Sequence, residues 1–170
     1  MIEMLDTLRR TGGLAALSRH LNLTPTQASA GTDALLPFLL GGFKRYCQRH
    51  DSEGQGLPAL LKLLNLWGDG EMAAAVLIPG NGSMAAGPAL LEAIFGSPEA
   101  IVSVASAAAE RSELDTAQLR KMLPLLAMLL GGYISIRAAP LHGNDNGVPA
   151  LLELEHAHNP LDEVLPPEED

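Results

Sequence analysis

Apolar residues recur along this chain with the three- and four-residue spacing of amphipathic helices. The longest case covers residues 119–133, where leucine, methionine and tyrosine follow the i, i+3, i+4, i+7 rule. Residues on the other faces of this stretch, such as Leu125 and Met128, are apolar too. Because a helix that is apolar all round is buried in a globular protein, we expect this helix to be central.

A sequence motif of leucine and proline followed by two glycines occurs twice, each time after a helix-start signal. The repetition predicts one helical domain over residues 1–139, built from two related halves at about residues 14–46 and 100–136. The repeated positions are Pro37 with Gly41 and Gly42, and Pro124 with Gly131 and Gly132.

The prolines and glycines of this motif predict distortions of the helices that contain them. An interior proline lacks an N–H and costs a helix about 3 kcal/mol, so we expect a bend or a break before Pro37. Gly131 and Gly132 have two interpretations. They either allow a neighbouring backbone to approach or a bend to form, or they end the helix.

Helix-start signals divide the rest of the chain. Thr24, Pro25 and Gln27 predict an N-cap, a first helical residue and a capping box. Ser97 and Pro98 repeat the cap and the proline. These signals predict helices at about 2–10, 14–21, from 25 to beyond Pro37, 57–66, 71–77, 88–95, 98–111 and 116–136.

The composition supports an all-α fold. Hydrophobic residues make up 47% of the 170 residues and aromatic residues only 4%. The core is therefore built from Leu, Ala, Val and Met, which favours packed helices over a sheet. We predict a single compact domain of about seven or eight helices.

The net charge of −9 is concentrated at the C-terminus. Seven acidic residues and no Lys or Arg follow position 152, in a stretch rich in Pro and acids. We interpret residues 140–170 as a loop, a short helix and a mobile acidic tail. The remaining charge is near neutral, and the one basic cluster, Lys44, Arg45 and Arg49, falls where cations complement a helix end. Nucleic-acid binding is therefore not expected.

The sequence indicates a cytoplasmic protein. Cys47 is the single cysteine, so no intrachain disulfide forms. The N-terminus lacks the basic-then-apolar order of a signal peptide. The apolar stretch at residues 122–136 is shorter than the ~20 residues that a membrane span requires, and we expect no transmembrane segment.

Several short sequence motifs, and their order along the chain, resemble those of the YidB-like family of bacterial proteins of unknown function. The resemblance covers about residues 17–133 and implies an all-helical cytoplasmic bacterial domain, with no activity to carry over. Its structural motif positions here are Pro37, Gly41 and Gly42; Pro79, Gly80 and Asn81; Phe95 and Gly96, within the motif Phe-Gly-Ser; Pro124, within the motif Met-Leu-Pro; and Gly131 and Gly132.

The resemblance also draws attention to the acidic end, because family members often carry an Asp-rich loop there. The matching oxygens would come from Glu153, Glu155, Asn159, Asp162 and Glu163, with Ala157 at the third acidic position. Calcium needs six to eight oxygen ligands and a sharp turn, which this stretch supplies poorly. His156 and His158 are an alternative transition-metal pair, and a solvated tail is the simplest interpretation.

Candidate catalytic groups are isolated. Cys47 and His50 are spaced to face each other on a helix, but no orienting carboxylate accompanies them. The stretch from Gly80 to Gly87 lacks the Gly-Lys-Ser/Thr ending of a phosphate loop, so we interpret it as a connector. No nucleophile elbow occurs, and His20 is interpreted as a polar surface residue.

These observations favour a non-catalytic helical interaction or assembly protein over an enzyme. We expect no cofactor, and the simplest partner is a second copy of the chain, forming a homo-oligomer. The alternative is a binding module for a small apolar or lipid-like ligand held between the central helices.

Overall fold

The computed structural model describes residues 9–10, 12–49, 56–66, 70–77 and 86–137. This part of the chain forms seven helices and contains no strand, which confirms the all-α single domain. The bounds are α1 Gly13–Leu21, α2 Pro25–Arg49, α3 Gly56–Leu66, α4 Gly70–Leu77, α5 Ala86–Phe95, α6 Pro98–Ser112 and α7 Thr116–Arg137.

Helix α7 is the centre of the fold, as its all-round apolar sequence predicts. It packs against each of the six other helices, most extensively against α4 and α5. Every residue from Leu125 to Gly132 is buried. This buried stretch has no side free for water, which explains why its apolar residues are not confined to one stripe.

Helix α2 is the second long helix and packs against α1, α3, α5, α6 and α7. Its start has the predicted capping box. The Gln27 N–H donates to Thr24 Oγ1 at 3.1 Å, and the Thr24 N–H donates to Gln27 Oε1 at 3.0 Å. Pro25 is its first residue, where the missing N–H costs nothing.

The interior proline of α2 does not interrupt the helix. Pro37 lies inside one continuous element that runs from Pro25 to Arg49. Of the expected bend or break before it, the break does not occur, and the bend stays a prediction. The packing around the proline provides the physical reason. Leu36, Phe38 and Leu39 are almost completely buried, and this burial offsets the hydrogen bond that the proline removes.

The paired glycines of α7 do not end their helix. Gly131 and Gly132 are buried, and α7 continues to Arg137. The interpretation of the pair as a helix end is therefore wrong. Both long helices place an interior proline before two buried glycines, and the relation between two halves of the domain stays a prediction.

Helices α5 and α6 meet at an angle of 90°. Gly96 allows the turn because its φ is +95°, a backbone conformation that is strained for residues with a side chain. Its N–H donates to the Glu92 carbonyl oxygen at 2.8 Å, which closes the last turn of α5. Ser97 then caps α6, with its Oγ accepting from the Ala100 N–H at 3.2 Å. The motif Phe-Gly-Ser therefore forms a right-angled corner between α5 and α6.

Three sequence predictions lie outside the described residues. They are the helix at 2–10, apart from Arg9 and Arg10, which are helical, the loop at 79–83, and the loop, helix and acidic tail at 140–170. The predicted helices at 14–21, 57–66, 71–77, 88–95 and 98–111 are confirmed within two residues at each end.

Candidate functional site

An open groove on the surface lies between α5, α6 and α7. Its volume is about 560 Å³. Each of the three helices contributes at least one proline or apolar residue to its lining, and α7 contributes two adjacent cations. The lining residues are Pro88, Leu91, Glu92, Pro98, Ile101, Ala117, Arg120, Lys121 and Pro124.

The apolar part of the groove is rigid. Pro88, Pro98 and Pro124 present ring surfaces whose backbone angles are already restricted, so little conformational entropy is lost when a partner covers them. Leu91 forms part of the core beneath the groove and is 4% exposed. The result is a firm apolar surface that is accessible from solvent.

The charged part of the groove is mainly positive. Arg120 and Lys121 are both exposed, and neither has a hydrogen bond or an ion pair among the residues that the structure describes. Glu92 contributes one negative charge to the lining. Pro98, the first residue of α6, and Ala117, the second residue of α7, also border the groove, and helix N-termini carry partial positive charge.

Pro124, which lines the groove, also takes part in a close approach between α5 and α7. A Cβ atom added to Gly87 would lie 2.7 Å from the Pro124 Cβ and 2.9 Å from the Pro124 carbonyl oxygen. At the other end of α5, a Cβ on Gly42 would lie 2.9 Å from Phe95 Cε1. Two glycines therefore let α5 lie directly against both long helices. Gly87 belongs to α5 and not to a connector, so our interpretation of it as part of a loop is wrong.

The family-motif positions are mostly packing positions. Gly41 and Gly42 are buried in α2, Phe95 is buried at the end of α5, and Gly96 makes the corner. Of these positions, only Pro124 lines the groove. The motif positions Pro79, Gly80 and Asn81 lie outside the described residues.

The candidate catalytic and metal-ligating side chains lie outside the part of the chain that is described. No group of three or more His, Cys, Asp or Glu lies close enough there to hold a metal ion. The backbone of Cys47 lies in α2, and the description does not extend to its side chain or to His50. The proposed calcium oxygens and the pair His156 and His158 also lie outside the described residues.

Lys44 has a different environment from the one its position in the sequence indicates. It lies five residues before the end of α2 and is only 2% exposed. The expectation was a cation that complements the helix end, and burial was not part of it. The burial follows from the position of Lys44 directly after Phe43, on a helix that contacts five others.

His20 and Arg19 join two helices that are distant in sequence. His20 Nε2 lies 2.8 Å from the Val76 carbonyl oxygen, and Arg19 Nη2 donates to the Leu77 carbonyl oxygen at 2.9 Å. These carbonyls belong to the last two residues of α4, where no further helical N–H can bond them. His20 is exposed as predicted, but its role as a cap for another helix was not predicted.

Sequence reasoning missed the two cations of the groove. Arg120 and Lys121 follow the start of a helix that is otherwise apolar, where a positive charge is not favoured by the helix dipole. That placement was an available signal that the pair serves something other than the stability of its own helix.

The described residues define an all-helical domain with one central buried helix and an open groove beside it. The chain belongs to the DUF937 family, bacterial proteins of unknown function, and the family model matches residues 4–137. The resemblance to the YidB-like family is consistent with this membership. No curated protein and no solved structure shows a significant match to the chain.

The described helices can be compared with membrane spans by their length and hydropathy. None of them is by itself long and apolar enough to cross a bilayer. The pair α5 and α6 has the length and hydropathy of a span only when both helices are counted together, across their 90° corner.

Proposed function

We propose that this domain is a non-catalytic interaction protein and that the groove between α5, α6 and α7 is its docking surface. The occupant is a short protein segment that combines apolar and acidic side chains. The observation that carries this proposal is the pair of exposed cations, Arg120 and Lys121, beside a rigid apolar surface.

The charge of the chain strengthens this choice of occupant. The protein carries a net charge of −9 that is concentrated after position 152, and the rest of the chain is near neutral, so an acidic segment finds little attraction on most of its surface. A local positive site that borders apolar residues then selects where such a segment binds. The leucines of a partner would cover Pro88, Pro98 and Ile101, and its carboxylates would lie beside Arg120 and Lys121.

A second copy of the chain is the simplest source of such a segment, which would make the protein a homo-oligomer. Sedimentation equilibrium over a hundredfold range of concentration measures this directly. We expect weak self-association that decreases when Arg120 and Lys121 are both replaced by Gln. Self-association that is the same in both proteins would identify another interface as the contact between copies.

The docking surface itself is tested with a capped peptide of leucine, alanine and glutamate, titrated into the ¹⁵N-labelled protein. We expect saturable shifts of amide signals from α5, the first turn of α6 and the first half of α7. The double variant R120Q/K121Q should bind about 2- to 30-fold more weakly, because two exposed ion pairs are lost.

The matched control is Lys62→Gln, which removes an exposed cation on α3, outside the groove. It should leave peptide affinity unchanged. A peptide of the same length with lysine in place of glutamate should bind poorly. Shifts spread over the whole surface, or equal affinity of the wild-type protein and R120Q/K121Q, would count against the proposal.

The alternative of a small apolar ligand between the central helices stays a prediction. The groove volume lies within the ~300–1,000 Å³ that small-molecule sites occupy. Native mass spectrometry of freshly purified protein separates the two hypotheses, because a copurifying ligand mass supports the alternative and a clean protein mass weakens it.

A further inference from the structure

The chain carries a segment whose chemistry matches the occupant proposed for the groove. Residues 149–163 combine leucines with four acidic side chains and contain no Lys or Arg. The first half of the segment alternates the two classes closely, with Leu152, Glu153, Leu154 and Glu155 in succession. The groove offers the complement, which is apolar prolines with two cations that have no ion pair among the described residues.

The segment is long enough to return to the groove of its own chain. Lys121 lies sixteen residues before Arg137, which corresponds to about 24 Å along α7 at 1.5 Å per residue. The twelve residues from 138 to 149 can span up to about 40 Å when extended. They include Pro140, Gly143 and Gly147, which are residue types that reverse the chain direction.

We infer that residues 149–163 occupy the groove of the same molecule and compete there with any partner. This inference rests on the proposed function, because it assigns an internal competitor to the same docking surface. A tethered segment has an effective concentration in the millimolar range, so it lowers the apparent affinity of an external segment. A partner must therefore displace it, and anything that neutralises or sequesters the acidic segment opens the groove.

A competition experiment on the full chain tests the inference. The double variant E153Q/E155Q removes two charges from the segment while it keeps the shape of the side chains and all of the leucines. The leucine, alanine and glutamate peptide should bind this variant about 2- to 10-fold more tightly than the wild type, because the internal competitor is weakened.

The variant E168Q/E169Q is the matched control, since it removes the same charge from the C-terminus outside the segment. It should bind the peptide with wild-type affinity. Equal binding by the wild type and E153Q/E155Q overturns the inference and leaves the docking surface intact. Binding by neither protein overturns the docking surface as well, so the two failures are distinguishable.

Chemical cross-linking locates the segment directly. The sequence contains three lysines, of which Lys62 and Lys121 are exposed and Lys44 is 2% exposed. A carbodiimide joins an amine to a carboxylate that lies beside it. We expect Lys121, and not Lys62, to link to Glu153, Glu155, Asp162 or Glu163.

A mixture of ¹⁴N and ¹⁵N protein distinguishes the two sources of the segment. Cross-linked peptides with a single isotope support occupation by the same chain. Mixed-isotope peptides in statistical proportion would overturn it in favour of exchange between two copies. Equal cross-link yields at Lys62 and Lys121 would show that the segment has no specific location and would overturn the inference.

Discussion

Gly87 of α5 lies directly against Pro124 of α7, with no room for a side chain between them. A Cβ on Gly87 would be 2.7 Å from the proline Cβ, 2.9 Å from its carbonyl oxygen and 3.1 Å from its carbonyl carbon. Two of these three atoms belong to the backbone of the central helix and the third to a proline ring, so the neighbour cannot rotate away. This contact holds the first turn of α5 at the edge of the groove.

Gly87→Ala should therefore destabilise the domain. Overpacking of this kind costs about 1–3 kcal/mol, which exceeds the ~0.5–1 kcal/mol that alanine gains over glycine in a helix. Urea denaturation measures the change. Because Pro124 also lines the groove, we expect weaker peptide binding in the same variant.

Gly31→Ala is the comparison that isolates the rigid contact. A Cβ on Gly31 would meet the Sδ and Cε atoms of Met122, which are at the flexible end of a side chain. We expect a change in the free energy of unfolding of less than about 1 kcal/mol. A larger loss for Gly31→Ala than for Gly87→Ala would show that backbone rigidity is not the deciding factor.

The hydroxyl group of Thr32 should be dispensable. Thr32 is completely buried in α2, and its Oγ1 has no hydrogen-bond partner among the described residues. Thr32→Val keeps the shape and removes a buried polar group, so we expect about 1 kcal/mol of added stability in thermal or urea unfolding.

Thr32→Ser supplies the control for that substitution. It keeps the hydroxyl and removes a methyl group, and should destabilise the domain by about 1 kcal/mol. If Thr32→Val instead lowers stability, the hydroxyl must bond to a buried water or a backbone carbonyl.

The elements that depend on neighbouring residues were predictable from the sequence. The capping box of Thr24 and Gln27 involves groups only three residues apart, and its hydrogen bonds form where the sequence indicates. The central position of α7 follows from its composition alone. In both cases the deciding interaction is local or is a property of one segment, so no knowledge of the rest of the fold is needed.

The groove was not predictable, because it depends on approaches between distant segments. Gly87 meets Pro124 only after α5 and α7 pack, and the cap of α4 by His20 crosses 56 residues of sequence. The absence of a break at Pro37 in α2 has the same cause. A local rule assigns the cost of the proline, whereas the burial that offsets it comes from the whole domain.

Leu64 and Leu66 should respond very differently to truncation, although they lie two residues apart on α3. Leu64 is completely buried, and Leu66 is 76% exposed. Leu64→Ala should cost about 2–5 kcal/mol, and Leu66→Ala should change stability by no more than ~0.5 kcal/mol. Equal losses in urea denaturation would mean that Leu66 is covered in solution, for example by a second copy.

Glu92→Gln should strengthen the binding of the acidic peptide to the groove. Glu92 is the one acidic residue in the groove lining, and it lies on the opposite helix from Arg120 and Lys121. Removing one exposed like charge should raise peptide affinity about 1.5- to 5-fold in low salt, and the gain should shrink as added salt screens the charge. Glu110→Gln, an equal change of charge on α6 outside the groove, should leave the affinity unaltered. Because both variants alter the net charge equally, the same gain in each would show that the peptide responds to overall charge and not to this site.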